Sequence, residues 1–391
     1  MSNMHKDIKT SNRKRSITIK IISIILIIPP LLSSCLKEEA DNHERLPNRT
    51  ILFYMAGDNS LSEETQEKVD ALTAAWKIGG ENHLLVYQDR GGEYAPRLLE
   101  IKAGSDGKGM AEVLEEYKDE NSASSKVFSN VLNDMIRYCP GSDYGLVMFS
   151  HSSGWLPAGT FAQPLSVVTD RKRELELIDF AHTIPNGQFR FILFESCLMA
   201  GVEVAYELKD KTNYILASSA EIVSPGFTPL YGKMLERLYK MTPDLNGFAQ
   251  DYYDYCNGLS GIGRSATVSV INTSGLTPLK SLLARAESNV EHWEWVERDG
   301  IQHFDRRAKD YLFYDLEGYI KTIGTQKDIN ELAGILQYSI IYKAATESFM
   351  KGDTYGFPIK EHCGLTVYIP VAKYKELNTQ RRRLLLFTQY Q

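Results

Sequence analysis

One short apolar run constrains the fold of this chain more than any other part of its sequence. Residues 191–194 are Phe-Ile-Leu-Phe, and the run stops at Glu195, Ser196 and Cys197. From Val202 onward, apolar residues recur at roughly helical spacing. This change of period predicts a buried strand, a turn and a helix, which is the repeating unit of a parallel α/β sheet.

Cys197 stands directly beyond the predicted strand. In open α/β sheets, ligands bind in the crevice beyond the carboxyl ends of the strands. A thiol placed there, close to the start of a helix, is favoured as a thiolate by the helix amides and dipole. The alternative is that Cys197 is a small core residue, since free cysteine is among the most buried residue types.

A histidine follows a second apolar run in the same way. Residues 144–150 are Tyr-Gly-Leu-Val-Met-Phe-Ser, and His151 comes next, 46 residues before Cys197. A histidine beside a thiol lowers the pKa of that thiol and can protonate a leaving amine. Two strands that end in these two groups therefore predict a Cys–His pair for nucleophilic catalysis.

Three segments carry a resemblance to a known family. They are residues 54–61 (Tyr-Met-Ala-Gly-Asp-Asn-Ser-Leu), 151–155 (His-Ser-Ser-Gly-Trp) and 195–208 (Glu-Ser-Cys-Leu-Met-Ala-Gly-Val-Glu-Val-Ala-Tyr-Glu-Leu). They resemble the clostripain family of cysteine peptidases, which is related in fold to caspases, gingipains and legumain. The resemblance extends over nearly the whole chain after residue 50. It implies a caspase-like three-layer α/β/α sandwich around a mixed, mostly parallel sheet.

The resemblance also implies roles for individual residues. Cys197 is the implied nucleophile and His151 the implied general acid/base of a cysteine endopeptidase that acts on polypeptide substrates. The backbone amides of Ser152 and Cys197 are implied to hold the oxyanion. The family usually has Gly where this chain has Ser152, and Ser tolerates a positive φ less well than Gly does. It usually has Asp where this chain has Glu195, which keeps the charge but moves it by one methylene.

A preference for Arg or Lys at P1 is a further implication of the family, and it requires an acidic group in a dry pocket. Glu195 and Glu221 are the candidates, since both follow predicted strands. Asp58 lies in a loop that the resemblance places at the border of the site. Each carboxylate has an alternative role as a helix cap or a surface group, and Asp58, Asn59 or Ser60 is placed to cap the next helix.

The basic run Arg171, Lys172 and Arg173 lies between the predicted His and Cys strands. Family members are often activated by cleavage after a basic residue in this interval, so these three residues are candidates for self-processing. The alternative is a solvated surface run, as most charged runs are.

The first residues of the chain have the pattern of a bacterial lipoprotein. Residues 1–35 contain a basic start, an apolar stretch too short for a confident membrane span, and the sequence Leu-Ser-Ser-Cys that ends at Cys35. We expect a signal peptide over 1–35 with lipid on Cys35, a polar tether over 36–49, and a peptidase domain with a C-terminal α/β extension over 50–391. This predicts an envelope lipoprotein at the outer membrane or cell surface of a Gram-negative bacterium. An uncleaved anchor is the alternative.

Composition excludes some classes of partner and leaves others open. A formal net charge of −6 gives no indication of nucleic-acid binding. Five cysteines leave an odd number for any disulfide framework, and no His or Cys cluster has metal-ligand spacing. The sequence therefore predicts no metal site and no cofactor, although calcium stays open because some relatives depend on it. It gives no oligomeric state.

The remaining pattern predicts an α/β chain to the C-terminus. Strands are expected at 50–55, 84–87, 97–101, 214–218, 266–271 and 365–369, and helices at 127–138, 175–181, 276–290 and 330–345, with a loop at 104–108. Two functions compete with the endopeptidase. One is a binding lipoprotein that keeps the fold without turnover, and the other is a thiol amidohydrolase on a non-peptide substrate.

Overall fold

Backbone pairing joins the apolar runs of the sequence into one large sheet in the computed structural model of the protein. The structure describes residues 48–104, 108–157, 160, 167–171, 173–306 and 310–388. Its strands are β1 Arg49–Ala56, β2 His83–Asp89, β3 Arg97–Ala103, β4 Gly109–Glu116, β5 Asp143–Phe149, β6 Val168–Asp170, β7 Arg173–Leu175, β8 Phe189–Glu195, β9 Thr212–Ala217, β10 Thr267–Asn272, β11 Tyr314–Asp315, β12 Ile340–Ala345, β13 Ser348–Phe349, β14 Phe357–Pro358 and β15 Thr366–Val367. Its α-helices are α1 Ser62–Ala75, α2 Ser125–Tyr138, α3 Leu177–Thr183, α4 Val202–Glu207, α5 Tyr231–Leu238, α6 Leu245–Asn257, α7 Leu279–Glu287, α8 Leu316–Ile323, α9 Gln326–Ser339 and α10 Lys375–Arg381.

The large sheet has a parallel centre with antiparallel strands at both sides. Its order among the described residues is β12-β10-β9-β8-β5-β1-β2-β3-β4. The five strands from β9 to β2 are parallel, whereas β3 and β4 on one side and β10 and β12 on the other pair antiparallel. The carboxyl ends of the five parallel strands therefore share one edge, as the sequence predicts.

Alternate residues of the central strands enter two different cores. In β1, Leu52 and Tyr54 pack in a cluster with residues of α2, α3 and α4. Ile51, Phe53 and Met55 pack in a second cluster with residues of α1, α5 and α6. Burial on both faces explains why these strands are continuous apolar runs rather than alternating ones. The arrangement confirms the expected three-layer α/β/α sandwich.

Tertiary pairing decides the structure at three places where the sequence pattern gave a wrong expectation, none, or a longer element. Residues 340–345 form strand β12 against β10 instead of the last turns of a helix. Strand β4 pairs with β3, although its exposed, glutamate-rich sequence predicts no strand. The late strand at 365–369 is reduced to β15, which pairs with β11 outside the large sheet.

The N-terminal expectations are not tested by the fold. Residues 1–47, including Cys35, lie outside the described part of the chain. No helix within the described ranges is both long and apolar enough to cross a bilayer. The signal peptide, the lipid anchor and the domain limits stay predictions.

Candidate active site

His151 and Cys197 are positioned by the register between two neighbouring strands. β5 and β8 pair in parallel, and Phe149 at the end of β5 lies opposite Glu195 at the end of β8. His151 and Cys197 each stand two residues beyond these paired ends. Equivalent positions on adjacent parallel strands place both side chains at the same edge of the sheet.

The two residues line one cavity of about 140 Å³. The wall is formed by the ends of β5 and β8, the start of α1 and the loop after β9. Its residues are Leu61, Glu64, Phe149, Ser150, His151, Glu195, Ser196, Cys197, Ile222, Ser224 and Gly226. The structure thus brings the predicted base and nucleophile into one concave site, where a substrate carbonyl can reach the thiol.

The loop that carries Cys197 is held by the segment that follows β9. Leu198 has φ +63°, and its amide donates to the Ala220 carbonyl at 3.0 Å. The Ala200 amide donates to the Ser218 carbonyl at 3.0 Å. These bonds extend the pairing beyond Cys197, and α4 begins at Val202, where helical spacing of the apolar residues begins in the sequence.

The loop after β9 donates a hydrogen bond to Cys197. The Ile222 amide donates to Cys197 Sγ at 3.4 Å. A hydrogen bond to sulfur stabilises the charged thiolate relative to the thiol. The loop after β9 therefore supplies the polarity that the sequence assigned to a helix N-terminus.

The other described cysteines are poorly suited to nucleophilic attack. Cys139, Cys256 and Cys363 are free and buried, whereas Cys197 is partly exposed. Burial raises the pKa of Cys139 to about 12 and that of Cys256 to about 11, and it also raises the pKa of Cys363. A raised pKa disfavours the thiolate that nucleophilic attack requires, and none of these three thiols lines the cavity.

His151 is oriented by a residue that sequence reasoning assigned to a different role. Its Nε2 lies 2.8 Å from Ser60 Oγ, in the loop after β1. Ser60 does not cap α1, since the N-cap is Leu61 without a side-chain cap. The sequence could have indicated this contact, because Ser60 follows the carboxyl end of β1 and β1 is the neighbour of β5, which His151 follows. Ser60 is thus a positioning residue for the histidine.

Ser152 links the loops that carry His151 and Cys197 through its side chain. It is buried, and its hydroxyl donates to the Cys197 carbonyl oxygen at 2.7 Å. Among the described residues with positive φ, the neighbouring Gly154 appears at +68° but Ser152 does not. Ser in place of the family's usual Gly therefore strains nothing, and it adds a hydrogen bond.

Glu195 lines the cavity, but its carboxylate is already used inside the protein. Oε1 lies 2.6 Å from Lys68 Nζ and accepts from the Phe227 amide at 2.6 Å, and Oε2 accepts from the Tyr231 hydroxyl at 2.8 Å. The side chain of Lys68 is fully buried, and that of Glu195 is 1% exposed. Lys68 also lies over the Phe149 ring, at 4.4 Å from its centroid.

Lys68 was missed by sequence reasoning, although a signal was present. It precedes Val69 and stands one helical turn before Leu72, both of which are core residues of α1. A lysine on the apolar face of a helix indicates a buried partner. That partner is Glu195, at the carboxyl end of β8.

The other two acidic candidates do not line the described cavity wall. Glu221 is bound by Arg306, with Nη2 at 3.1 Å from Oε2. Asp58 accepts from Arg171 Nε at 2.5 Å. Glu64 does line the cavity, and it accepts from the Ser224 hydroxyl at 3.2 Å while lying 3.4 Å from Lys68 Nζ.

The structure describes two residues of the basic run between His151 and Cys197. Arg171 occupies the turn between β6 and β7 with φ +54°, and its amide donates to the Asp58 carbonyl at 2.8 Å. Its guanidinium also donates to both Asp119 oxygens, at 2.7 and 2.8 Å. Arg171 and Arg173 are exposed, and Lys172 lies outside the described residues.

A model of the clostripain family matches residues 53–354, a segment that contains every residue of the cavity wall. The chain belongs to the clostripain family. This clostripain-family protein is a cysteine peptidase, in agreement with the cysteine and histidine at its strand ends.

Two solved structures have the same fold as this family member. An inactive zymogen C11 protease from Parabacteroides distasonis is 27% identical, with a TM-score of 0.77, and the match covers 88% of this chain and 98% of that one. A secreted C11 cysteine protease from Bacteroides thetaiotaomicron, in complex with an irreversible peptide inhibitor, is 24% identical, with a TM-score of 0.73 and coverage of 87% and 98%. The comparison with curated protein sequences gave no match.

Proposed function

We propose that this clostripain-family peptidase is an endopeptidase with Cys197 as nucleophile and His151 as general acid/base. The observation that carries the proposal is the register of β5 and β8, which puts both residues two positions beyond paired strand ends and on one cavity wall. A nucleophile and a base that share a cavity are the minimum equipment for acyl transfer through a thiol.

The proposed reaction has two steps. The Cys197 thiolate attacks the scissile carbonyl carbon, and the backbone amides of Cys197 and Ser152 bind the resulting oxyanion. The C–N bond then breaks as His151 gives a proton to the leaving amine, which leaves an acyl-thioester. Water, deprotonated by His151, hydrolyses the thioester and restores the thiol. The hydroxyl of Ser152 supports both steps, since it ties the histidine loop to the cysteine loop.

We further propose that the enzyme cleaves after Arg or Lys, with Glu64 as the carboxylate that meets the substrate. Glu195 and Glu221 are each paired with an internal cation, Lys68 and Arg306. Lys68 balances one of the two carboxylates near it, so Glu64 supplies the remaining negative charge of the cavity. A cation in a site screened from water is attracted to such a charge.

The peptidase assay compares fluorogenic peptides with Arg, Lys, Asp and Leu at P1. We expect turnover of the Arg and Lys peptides and a loss of several orders of magnitude in Cys197→Ala, because a covalent catalyst is removed. A tenfold or smaller loss in that variant would exclude Cys197 as nucleophile. Hydrolysis that is independent of P1 would favour an amidohydrolase, and an unreactive Cys197 would favour a binding protein.

Glu64→Gln tests the specificity residue separately. We expect kcat/KM for the Arg peptide to fall about tenfold, or about 1.4 kcal/mol, with little change for the Leu peptide. Glu63→Gln is the matched control, because Glu63 is on the same helical turn but 84% exposed and paired with Arg90. Equal losses on Arg and Leu peptides would show that Glu64 does not read P1.

Self-processing and envelope anchoring complete the proposal. The exposed turn at Arg171 supports cleavage between His151 and Cys197, and a similar C11 protease has been described as an inactive zymogen. The lipobox at Cys35 supports an anchored envelope enzyme. Intact mass and N-terminal sequencing of the wild type beside Cys197→Ala test both: processing requires cleavage in the wild type alone, and anchoring requires a lipid mass on Cys35.

A further inference from the structure

Three side chains of types that can bind a metal ion lie close together, far from the edge of the sheet that carries His151 and Cys197. His83 begins β2, Glu100 lies on β3, and Cys139 is the residue directly after α2. One ligand atom of each residue, a ring nitrogen, a carboxylate oxygen and the sulfur, lies within 4.8 Å of the other two. The catalytic cavity lies at the carboxyl ends of the strands, whereas His83 is at the amino end of β2.

The fold explains why these residues meet although the sequence separates them. β2 and β3 are antiparallel with Leu85 opposite Glu100, so His83 and Glu100 are diagonal neighbours on one face of the sheet. Helix α2 covers that face, and Cys139 packs in the same core cluster as Leu85 and Leu98. Ligands from three separate elements have no characteristic spacing, which is why the sequence predicted no metal site.

The chemistry of the three groups suits a zinc ion. Imidazole nitrogen, thiolate sulfur and carboxylate oxygen are the ligands that Zn²⁺ takes in proteins, and tetrahedral coordination separates them by about 3.5 Å. His83 Nδ1 lies 2.7 Å from Glu100 Oε1, so a shift of under about 1 Å would admit an ion.

The environment also suits a bound ion. Cys139 is buried, whereas the side chain of His83 is 29% exposed, which gives an entry path and room for a water ligand. Two hydrogen bonds hold the backbone of the cluster: the Thr50 hydroxyl donates to the Cys139 carbonyl, and the Tyr239 hydroxyl donates to the His83 carbonyl. These bonds fix the backbone at two of the three residues.

One competing cation is close to the cluster. Lys102 Nζ lies 3.0 Å from Glu100 Oε2, but it also lies 2.6 Å from Glu112 Oε2 and is 42% exposed. Lys102 contacts Glu100 Oε2, so Oε1, which faces His83, is still available to an ion. A flexible, solvated lysine can stay with Glu112 when an ion occupies the site.

We propose that His83, Glu100 and Cys139 bind Zn²⁺, which clamps β2, β3 and the end of α2 together and takes no part in peptide hydrolysis. The site is structural in effect, since it joins two neighbouring strands to a covering helix.

Zinc binding is measured on the full chain with Cys197→Ala, so that the catalytic thiol neither binds metal nor cleaves the protein. The protein is stripped with a chelator and titrated with Zn²⁺ in competition with a chromophoric chelator. A parallel sample takes Co²⁺, whose absorption reports a thiolate ligand. We expect one zinc per chain, at least tenfold weaker binding after adding Cys139→Ser or His83→Gln, and a thiolate–cobalt band that is absent from the Cys139→Ser protein.

Cys256→Ser is the control, because Cys256 is a buried cysteine on α6, in the other core cluster. It should leave zinc affinity and the cobalt band unchanged. If Cys139→Ser does not fold, His83→Gln carries the test, since His83 is partly exposed. Absence of stoichiometric zinc, or equal affinity in His83→Gln, would overturn the proposal and leave a hydrogen-bonded trio. Neither result depends on peptidase activity.

Discussion

The buried ion pair between Lys68 and Glu195 predicts a large cost when its cation is removed. In Lys68→Met, the side chain keeps its length and apolar stem but loses the ammonium. Glu195 would keep its hydrogen bonds from Phe227 and Tyr231 yet lack a counter-charge in a site where it is 1% exposed. Removing one partner of a buried pair costs about 3–5 kcal/mol, because the remaining charge is uncompensated.

The size of the expected shift in melting temperature follows from the length of the domain. Residues 48–388 comprise about 340 residues, for which the unfolding entropy is about 0.7 kcal/mol/K. A loss of 3–5 kcal/mol therefore lowers Tm by about 4–7 °C. The double variant Lys68→Met/Glu195→Gln should recover much of the loss, since neither side chain is then charged.

The assay is urea and thermal unfolding in the Cys197→Ala background, which prevents self-digestion. Lys126→Met is the control, because it makes the same substitution at an exposed pair, with 69% and 43% of the Lys126 and Glu120 side chains accessible. That variant should lose under about 1 kcal/mol. A Lys68→Met loss as small as the control, or single losses that simply add in the double variant, would refute the reasoning.

Three other substitutions test features of the site and its support. Ser152→Ala removes the hydroxyl that donates to the Cys197 carbonyl, so we expect the free energy of unfolding to fall by about 1–2 kcal/mol and kcat/KM to fall as well. Ser153→Ala is the control, and a gain in activity of Ser152→Ala would contradict this role. Gly226→Ala puts a Cβ at φ +61° within 2.5 Å of Glu195 Oε1, and it should destabilise by about 2 kcal/mol and impair cleavage. Gly80→Ala, at φ +74° with nothing within 4 Å, should cost less, and equal losses would mean that the clash is irrelevant. Burial, with a smaller effect of Lys343, lowers the pKa of His362 to about 3. The unfolded imidazole binds a proton below about pH 6.5 and the folded one does not, so the free energy of unfolding falls as the pH is lowered through this range. His362→Gln should reduce that fall between pH 7.5 and 5.5 by about 1.4 kcal/mol. The check is urea unfolding at several pH values, and an unchanged dependence of the unfolding free energy on pH would contradict the prediction.

The centre of the fold and the placing of His151 and Cys197 at one edge of the sheet could be predicted because they depend on local pattern. Runs such as 144–150 and 191–194 are apolar on both faces, which only a covered parallel sheet accommodates. Parallel strands end at a common edge, so the neighbours His151 and Cys197 follow from the two runs alone.

The rest depends on partners that sequence periodicity does not reveal. Edge strand β4 is held by hydrogen bonds to β3 while its side chains face solvent, so it has no apolar alternation. At 340–345 the apolar residues continue the pattern of α9 but bond to β10. The same holds for charge: Glu195 appeared free to meet a substrate until the structure placed Lys68 against it, 127 positions away in sequence.

The pairing of Phe149 with Glu195 has a consequence for how such chains tolerate insertions and deletions. His151 and Cys197 are fixed relative to each other by their two-residue distance from these strand ends, not by the length of chain between them. A change in the number of residues between 156 and 188 leaves this register intact, provided that Thr169 keeps its hydrogen bonds to Ser150 and His151. A single residue added between 149 and 151, or between 195 and 197, would turn the catalytic side chain away from its partner. Length variation among relatives should therefore be concentrated in the former interval and absent from the latter two.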